Sequence, residues 1–263
     1  MGKHDRKYNR NIEPPKNGPK ILTLDVETSP HLAMVWGLFD QNVSLSQLRE
    51  ATQVICWAAK WIGKPGVEFR SDFHDGHLEQ VRRIHELVDQ ADIIVGYNSR
   101  SFDMKHLNRE FLLAGLNPPS PYKQVDLLTE VRRNFKMASN KLNYVSQVLG
   151  IGEKTQHSGQ ALWNACIIDK DPKAWALMRS YNVQDTRLNE QVYNAILPWL
   201  KHPNVALYSE EARHTCPTCN STDLQRRGYS LTAVGKYQRY QCNKCGSWSK
   251  SGRRLDTAVV RSA

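Results

Sequence analysis

Apolar positions along the chain switch between a period of two and a period near 3.6. Ile21-Leu22-Thr23-Leu24-Asp25-Val26-Glu27-Thr28 reads as a buried β-strand, with Leu22, Leu24 and Val26 on one face and Thr23, Asp25 and Glu27 on the other. Residues 31–43 and 53–61 are rich in strand formers, most clearly 52–57, and 67–73 alternates again after the turn signal Lys64-Pro65-Gly66. The period then lengthens. Leu78, Val81, Ile84, Leu87, Val88 and Ala91 predict an amphipathic helix, and Ile93-Ile94-Val95 a short buried strand. Residues 103–113 predict a helix with Met104, Leu107, Phe111 and Leu112 inward. Shorter helices are expected over 127–135 and 142–149, the second stopped by Gly150, followed by a loop over 151–159. Asp171-Pro172 opens a long helix that ends before Pro198. Its inward stripe is Ala174, Leu177, Met178, Tyr181, Asp185, Leu188, Val192 and Ile196.

Strands first, then helices alternating with single strands, describe an α/β fold with a mixed sheet flanked by helices. The pattern dissolves near His202-Pro203-Asn204, where a domain boundary is expected. The expected division is a disordered basic tail over 1–20, a main domain over 21–204, a small module over 205–255 and a tail over 256–263.

Composition narrows the class of partner. The 263 residues hold 36 Lys and Arg against 26 Asp and Glu, a net charge of +10, which favours a polyanion and nucleic acid above all. No apolar run reaches the roughly 18–20 residues of a spanning helix, and the start carries no apolar signal segment. A cytoplasmic monomer with no membrane contact is the expectation. Four of the six cysteines form two C-x-x-C pairs, while Cys56 and Cys166 stand alone in apolar contexts. In a reducing compartment this reads as one metal site plus two buried thiols.

Two carboxylates on one face of a core strand need a compensating partner, and a hard divalent cation suits oxygen ligands on a rigid strand. Taken alone, Asp25 and Glu27 also fit a strand that ends early, with both in solvent. Asp103 falls in the first turn of its helix, where it is equally an ordinary N-cap. Asp185 sits in an apolar stripe one turn after Tyr181, a costly place for a carboxylate unless it is paired with an arginine or bound to metal.

Taken together, the three stretches resemble the DEDD exonucleases of the ribonuclease-H-like superfamily, in the version with Tyr in the third motif. Asp25-Val26-Glu27 matches D-x-E, Asn98-x-x-x-Phe102-Asp103 the second motif and Tyr181-x-x-x-Asp185 the third. The likeness covers about 21–200 and is nearest to stand-alone exonuclease domains of bacteriophages, similar to family B polymerase proofreading domains. The stretch between Thr28 and Val54 is longer than in minimal domains of that kind. The resemblance implies a ribonuclease-H-like fold, two Mg2+ or Mn2+ ions on Asp25, Glu27, Asp103 and Asp185, and a water oriented by Tyr181. Asp25 is expected to bridge both ions. The implied reaction is 3′→5′ hydrolysis of terminal phosphodiesters to 5′-mononucleotides, with DNA and single-stranded ends favoured. Asn98, Phe102, Lys154 and His157 are candidate substrate contacts, with turn formation, packing or simple solvation as the structural alternatives. Asp126 reads as a helix cap.

Cys216-x-x-Cys219 and Cys242-x-x-Cys245 are separated by 22 residues. Four thiolates at this spacing fit one structural Zn2+, and so small a segment has too little core to fold without it. It resembles a zinc ribbon. Arg226, Arg227, Lys236, Arg239, Tyr240 and Trp248 make it a candidate for binding nucleic acid, single strands in particular; protein contact is the other use of such a module. Two rival functions stay open on the sequence: a 3′→5′ exoribonuclease, and a nucleic-acid-binding protein with a vestigial nuclease fold.

Overall fold

The structure, a computed structural model, describes residues 18–155, 158–201, 203–208 and 214–260. The expected basic tail lies almost wholly outside the described residues.

Strand β1 (Ile21–Thr28) is the centre of a five-stranded sheet. On one side it pairs antiparallel with β4 (Val54–Trp61), which pairs antiparallel with β5 (Glu68–Ser71). On the other it runs parallel to β6 (Ile93–Gly96), and β6 parallel to β7 (Lys123–Asp126). The order is therefore β5-β4-β1-β6-β7, a mixed sheet flanked by helices, as the periodicities require. Two short strands, β2 (Leu32–Ala33) and β3 (Leu48–Glu50), pair only with each other.

The two faces of β1 meet different helices. Leu22, Leu24 and Val26 pack with Val81 and Ile84 of α1 (His77–Asp89) and with Met104, Leu107 and Phe111 of α2 (Asp103–Leu113). Trp57 of β4 is fully buried in the same layer, and its indole N–H donates to Gln80 O at 2.9 Å. Burying such a side chain contributes about 1.5–3 kcal/mol. The opposite face carries Thr23, Asp25 and Glu27 and is crossed by the long helix α6 (Pro172–Ile196). Between β7 and α6 come α3 (Leu127–Asn134), α4 (Leu142–Val148) and α5 (Gln160–Ile167). Helix α6 (Pro172–Ile196) starts where Asp171 accepts from Lys173 N at 2.9 Å, and its Thr186 hydroxyl donates to Ala58 O of β4.

Several expectations need correcting. The 31–43 stretch is not a sheet strand: only Leu32–Ala33 is extended and paired, and Trp36, Leu38 and Phe39 are exposed. Gly37 interrupts the apolar run, and Asp40 takes a left-handed conformation (φ 51°) that no strand continues through. Leu112 and Leu177 point outward, at the margins of their helices' buried stripes. Strand β7, with Val125 its one apolar residue, and the short helix α5 went unforeseen.

A polar cluster ties α1 to the sheet and to α2. His77 Nδ1 lies 3.0 Å from Asp72 Oδ1, and its Nε2 3.4 Å from Glu110 Oε2. These carboxylates raise His77 from 6.5 to about 10. Because the folded value is raised, the stabilisation is complete below about pH 6.5 and is lost as pH rises towards 10. Thermal melts of the wild type should therefore fall between pH 7 and 10 more steeply than those of His77→Gln. Parallel pH profiles for the two proteins would show that this histidine carries no charge in the fold.

After α6 the chain makes a short 3-10 turn (Val205–Tyr208) and enters a separate three-stranded antiparallel sheet. Its order is β10-β9-β8, from β8 (Leu224–Thr232), β9 (Gly235–Cys242) and β10 (Trp248–Thr257). The base of this module is not detached. Cys216, Cys219, Cys242 and Cys245 belong to the same buried cluster as Tyr193, Ile196, Leu197 and Val205, and Val205 N donates to Pro217 O at 2.8 Å.

Candidate active site

The site forms where β1 outruns its parallel neighbour. Pairing with β6 stops at Thr23–Val95, because the chain turns away after Gly96. A Cβ at Gly96 would lie 2.6 Å from Ser99 Cβ, so the tight turn needs glycine there. Asn98 adopts φ 65°, which asparagine tolerates, and its carbonyl accepts from Ser101 and Phe102 N. This turn aims α2 so that Asp103, in its first turn, reaches back to the open edge of β1. Asp103 Oδ1 accepts from Val26 N at 3.0 Å, satisfying a strand N–H that has no sheet partner on that side.

Helix α6 supplies the third side. Asn182 Nδ2 donates to Asp25 Oδ2 at 2.7 Å and to Asp25 O at 3.1 Å, fixing the helix to the strand at the first carboxylate. One turn along, Asp185 is almost fully buried, and Lys154 from the loop after α4 pairs with its Oδ2. Lys154 Nζ also lies 3.4 Å from the Tyr181 hydroxyl.

These groups act on one another electrostatically. Burial, then repulsion from Glu27, Asp103 and Asp185, pushes Asp25 well above the usual carboxylate range, with Lys154 pulling the other way. Glu27 is raised to about 8 by burial and by Asp185. Asp103 is raised to about 7 by burial, against the favourable N–H bonds it accepts. Burial and the carboxylates also raise Tyr181, so its hydroxyl stays protonated. Four carboxylates balanced by one ammonium are under-compensated, and divalent cations on hard oxygen ligands are the chemistry that suits them. The residues therefore fit the metal ions that such sites use.

Beside the carboxylates opens a cleft of about 490 Å³ lined in part by Asp25, Tyr97, Arg132, Asn140, Lys141 and Lys154. Tyr97 donates to Asn140 O at 2.6 Å and Asn143 Oδ1 accepts from Lys154 N at 3.0 Å, so the walls are tied together. Trp163 Nε1 donates to Thr28 O, closing the end of β1.

All five sequence-predicted chemical residues are thus brought together, with Lys154 among them. Phe102 is part-exposed against His106 at the start of α2 (ring centroids 4.6 Å). His157 lies outside the described residues. Asp126 caps α3 through Thr129 N and also accepts from Arg100 N. Asn182, Arg132, Lys141 and Trp163 were not foreseen. Asn182 had a signal, being a polar residue four positions after the core residue Met178; the cleft cations had none.

The cysteines form a second centre. Cys216 Sγ is 3.7 Å from Cys245 Sγ and Cys219 Sγ 3.6 Å from Cys242 Sγ, with all four thiols free of disulfides. A tetrahedron with metal–sulfur bonds of about 2.3 Å has edges of about 3.8 Å, so the spacing fits zinc. Among the described residues this is the one group of three or more potential ligands whose atoms all lie within 4.8 Å; the carboxylates are spread more widely. The two knuckles repeat one design. Asn220 and Gly246 follow the second cysteine of each pair with positive φ, and Asn220 N and Gly246 N donate to Cys216 O and Cys242 O at 2.8 Å.

On the ribbon sheet, Arg226, Arg227 and Arg239 are exposed and Lys236 part-buried. Trp248 is half exposed, whereas Tyr240 is buried against the His214 ring (centroids 4.4 Å). None of the described helices is long and apolar enough to cross a membrane.

Comparison with known proteins agrees with the architecture. No curated protein sequence matches the chain. Among solved structures, the family B DNA polymerase of the hyperthermophilic archaeon Pyrobaculum calidifontis is similar, with a TM-score of 0.52 and 18% identity. The match covers 70% of this chain and 25% of the polymerase, so the chain spans about a quarter of that protein's length. Residues 46–197 match the family model of the RNase_H superfamily. That match takes in more than half of the chain, and the chain belongs to the RNase_H superfamily.

Proposed function

We propose that the protein is a metal-dependent 3′→5′ exonuclease of the DEDD type, acting on DNA with single-stranded 3′ ends favoured. The observation that carries this reading is the crowding of Asp25, Glu27, Asp103 and Asp185 in one buried, under-compensated site with Tyr181 at its edge. Structural burial alone would select against such a cluster, because each unpaired carboxylate is costly.

Asp25, Glu27, Asp103 and Asp185 would hold two Mg2+ or Mn2+ ions, which supply Lewis acidity to the phosphoryl oxygens and a more acidic water. The chain's own groups do the rest. Asn182 holds Asp25 in place from α6, and the N–H of Val26 holds Asp103. The neutral Tyr181 hydroxyl orients the attacking water, and Lys154 brings a positive charge to the phosphate. Arg132 and Lys141 line the cleft for the strand behind the terminal nucleotide. Water oxygen gives up a proton and bonds to phosphorus as the bond to the 3′ oxygen breaks, and that oxygen takes up a proton to become the new 3′ hydroxyl. The product is a 5′-mononucleotide. The four cysteines would hold one structural Zn2+, closed by thiolates and without an open position for water.

Protein stripped of divalent ions should release no nucleotide until Mg2+ or Mn2+ is restored. Tyr181→Phe should slow release roughly 10²-fold, the scale of losing a group that positions a proton or water, while metal binding measured by calorimetry is unchanged. Full activity of this variant would reduce Tyr181 to a packing residue.

A further inference from the structure

Several cations of the main domain are paired with carboxylates: Lys60 with Glu190, Arg70 with Asp75, Arg83 with Glu68, Arg133 with Glu130. Those of the ribbon sheet are not. Among the described residues no Lys or Arg of β8, β9 or β10 forms an ion pair, and the only acidic residue in the three strands is Asp256.

Strand alternation sorts these residues onto two faces. In β9, Tyr240 and Cys242 point to the cysteine cluster and core, so Tyr237, Arg239 and Gln241 point away from it. The register places Lys250 opposite Arg239, and Trp248 and Gln225 opposite Gln241, on that same outer face. Arg227, next to Arg226 in β8, shares it: its Nε donates to Gln225 Oε1, and its carbonyl accepts from Arg239 Nε at 2.9 Å. The outer face therefore gathers Arg227, Arg239 and Lys250 with Tyr237 and Trp248. Arg226, Lys236 and Tyr240 fall on the other one.

Two features separate this face from an ordinary solvated surface. Like charges directly opposed across strands, as Arg239 and Lys250 are, destabilise a sheet. The cations are also held in place. The Arg239 guanidinium lies 4.9 Å from the Trp248 ring centre and the Lys250 ammonium 4.8 Å from that of Tyr237. Arg239 is fixed through Nε alone, and its terminal nitrogens make no hydrogen bond or ion pair among the described residues. Ordered, unneutralised, mutually repelling cations match a regular row of negative charges.

We infer that this outer face of the ribbon, built on Arg227, Arg239 and Lys250 over Tyr237 and Trp248, binds the phosphodiester backbone of a nucleic acid strand. The inference deepens the nuclease reading by giving its substrate a second point of attachment, and rests on that reading for the identity of the polyanion. The cations contact successive phosphates, and the half-exposed Trp248 offers ring surface to an unpaired base. Charge complementarity favours this occupant over a protein, since the face offers one sign of charge and little apolar area.

The test uses the full chain in an Asp25→Asn background, so that the probe, a fluorescent single-stranded oligonucleotide, is not consumed. Anisotropy titrations across about 50–200 mM salt compare Arg239→Gln/Lys250→Gln with an equally charged exchange at the exposed Lys64 and Arg82 of the main domain. The face variant should bind about tenfold more weakly at the higher salt. Its log–log salt slope should drop by about one unit or more, since each lost single-strand phosphate contact removes about 0.7. Zinc content equal to the parent's guards against unfolding. Equal affinities and slopes for the two variants would overturn the assignment, as would a large loss with an unchanged salt slope. The nuclease reading is judged separately by nucleotide release. Release by the wild type with no binding defect in the face variant removes the face and leaves the nuclease. A binding defect in a protein that releases no nucleotide does the reverse.

Discussion

Asp25→Asn should lower nucleotide release at least about 10³-fold, roughly 4 kcal/mol of barrier, while the metal-free protein melts at a higher temperature. The two effects have one cause. Asp25 is held among Glu27, Asp103 and Asp185, where burial and repulsion disfavour its charge. The amide keeps the shape and the link to Asn182, whose Nδ2 can donate to the amide oxygen as it does to Oδ2. It removes the charge that the ions need and that the empty fold tolerates poorly. In a domain of this size each kcal/mol shifts the melting point by about 2–4 °C, so a gain of a few degrees is expected in chelator. Adding Mg2+ should then stabilise the wild type and leave the variant nearly unmoved. Activity within about tenfold of wild type, together with an unchanged melt, would mean that Asp25 is not a metal ligand.

The second large effect is on stability. Cys219→Ser or Cys245→Ser should release the zinc and unfold the C-terminal sheet, and it should also weaken the main domain. The four sulfurs pack in one cluster with Tyr193, Ile196 and Leu197 at the end of α6. Losing the module uncovers that surface. Metal binding in isolated zinc modules is worth about 10–16 kcal/mol, which is folding energy for a segment without its own core. Even a fraction transmitted to the main domain should lower its calorimetric transition by roughly 10 °C. Elemental analysis should give one zinc per wild-type chain and none in the variant. A zinc-free variant with the wild-type transition would show that the cysteines pack as plain apolar thiols.

The parts of the molecule legible in the sequence are those where a local pattern and a tertiary demand coincide. From Leu22 onward strand β1 alternates because its two faces meet different helices, and α6 announces itself by Asp171-Pro172 and an apolar stripe along its 25 residues. The carboxylates stood out because Asp25 and Glu27 share one face of a core strand and Asp185 sits where the stripe of α6 calls for an apolar residue. The parts that were not legible are set by partners distant in sequence. Strand β7 is a strand because β6 lies beside it, not because Lys123-Gln124-Val125-Asp126 favours one. The 31–43 stretch has strand-forming residues but no neighbour to pair with beyond Leu32–Ala33. The salt link from Lys154 to Asp185 joins a loop to a helix 31 residues on, and the cation's place among the carboxylates could not be read from either segment. The seating of the cysteine module on α6 was hidden in the same way, since Tyr193 looks like any residue beside the helix's buried stripe.

Product analysis on matched oligonucleotides tests the central claim most directly. With Mg2+ present, 3′-labelled DNA should lose its label at once as a mononucleotide, while 5′-labelled DNA of the same sequence shortens one residue at a time. Matched RNA should be degraded more slowly. Release of a 5′-terminal nucleotide first, internal cleavage from the outset, or no Mg2+- or Mn2+-dependent product from DNA or RNA would contradict the account.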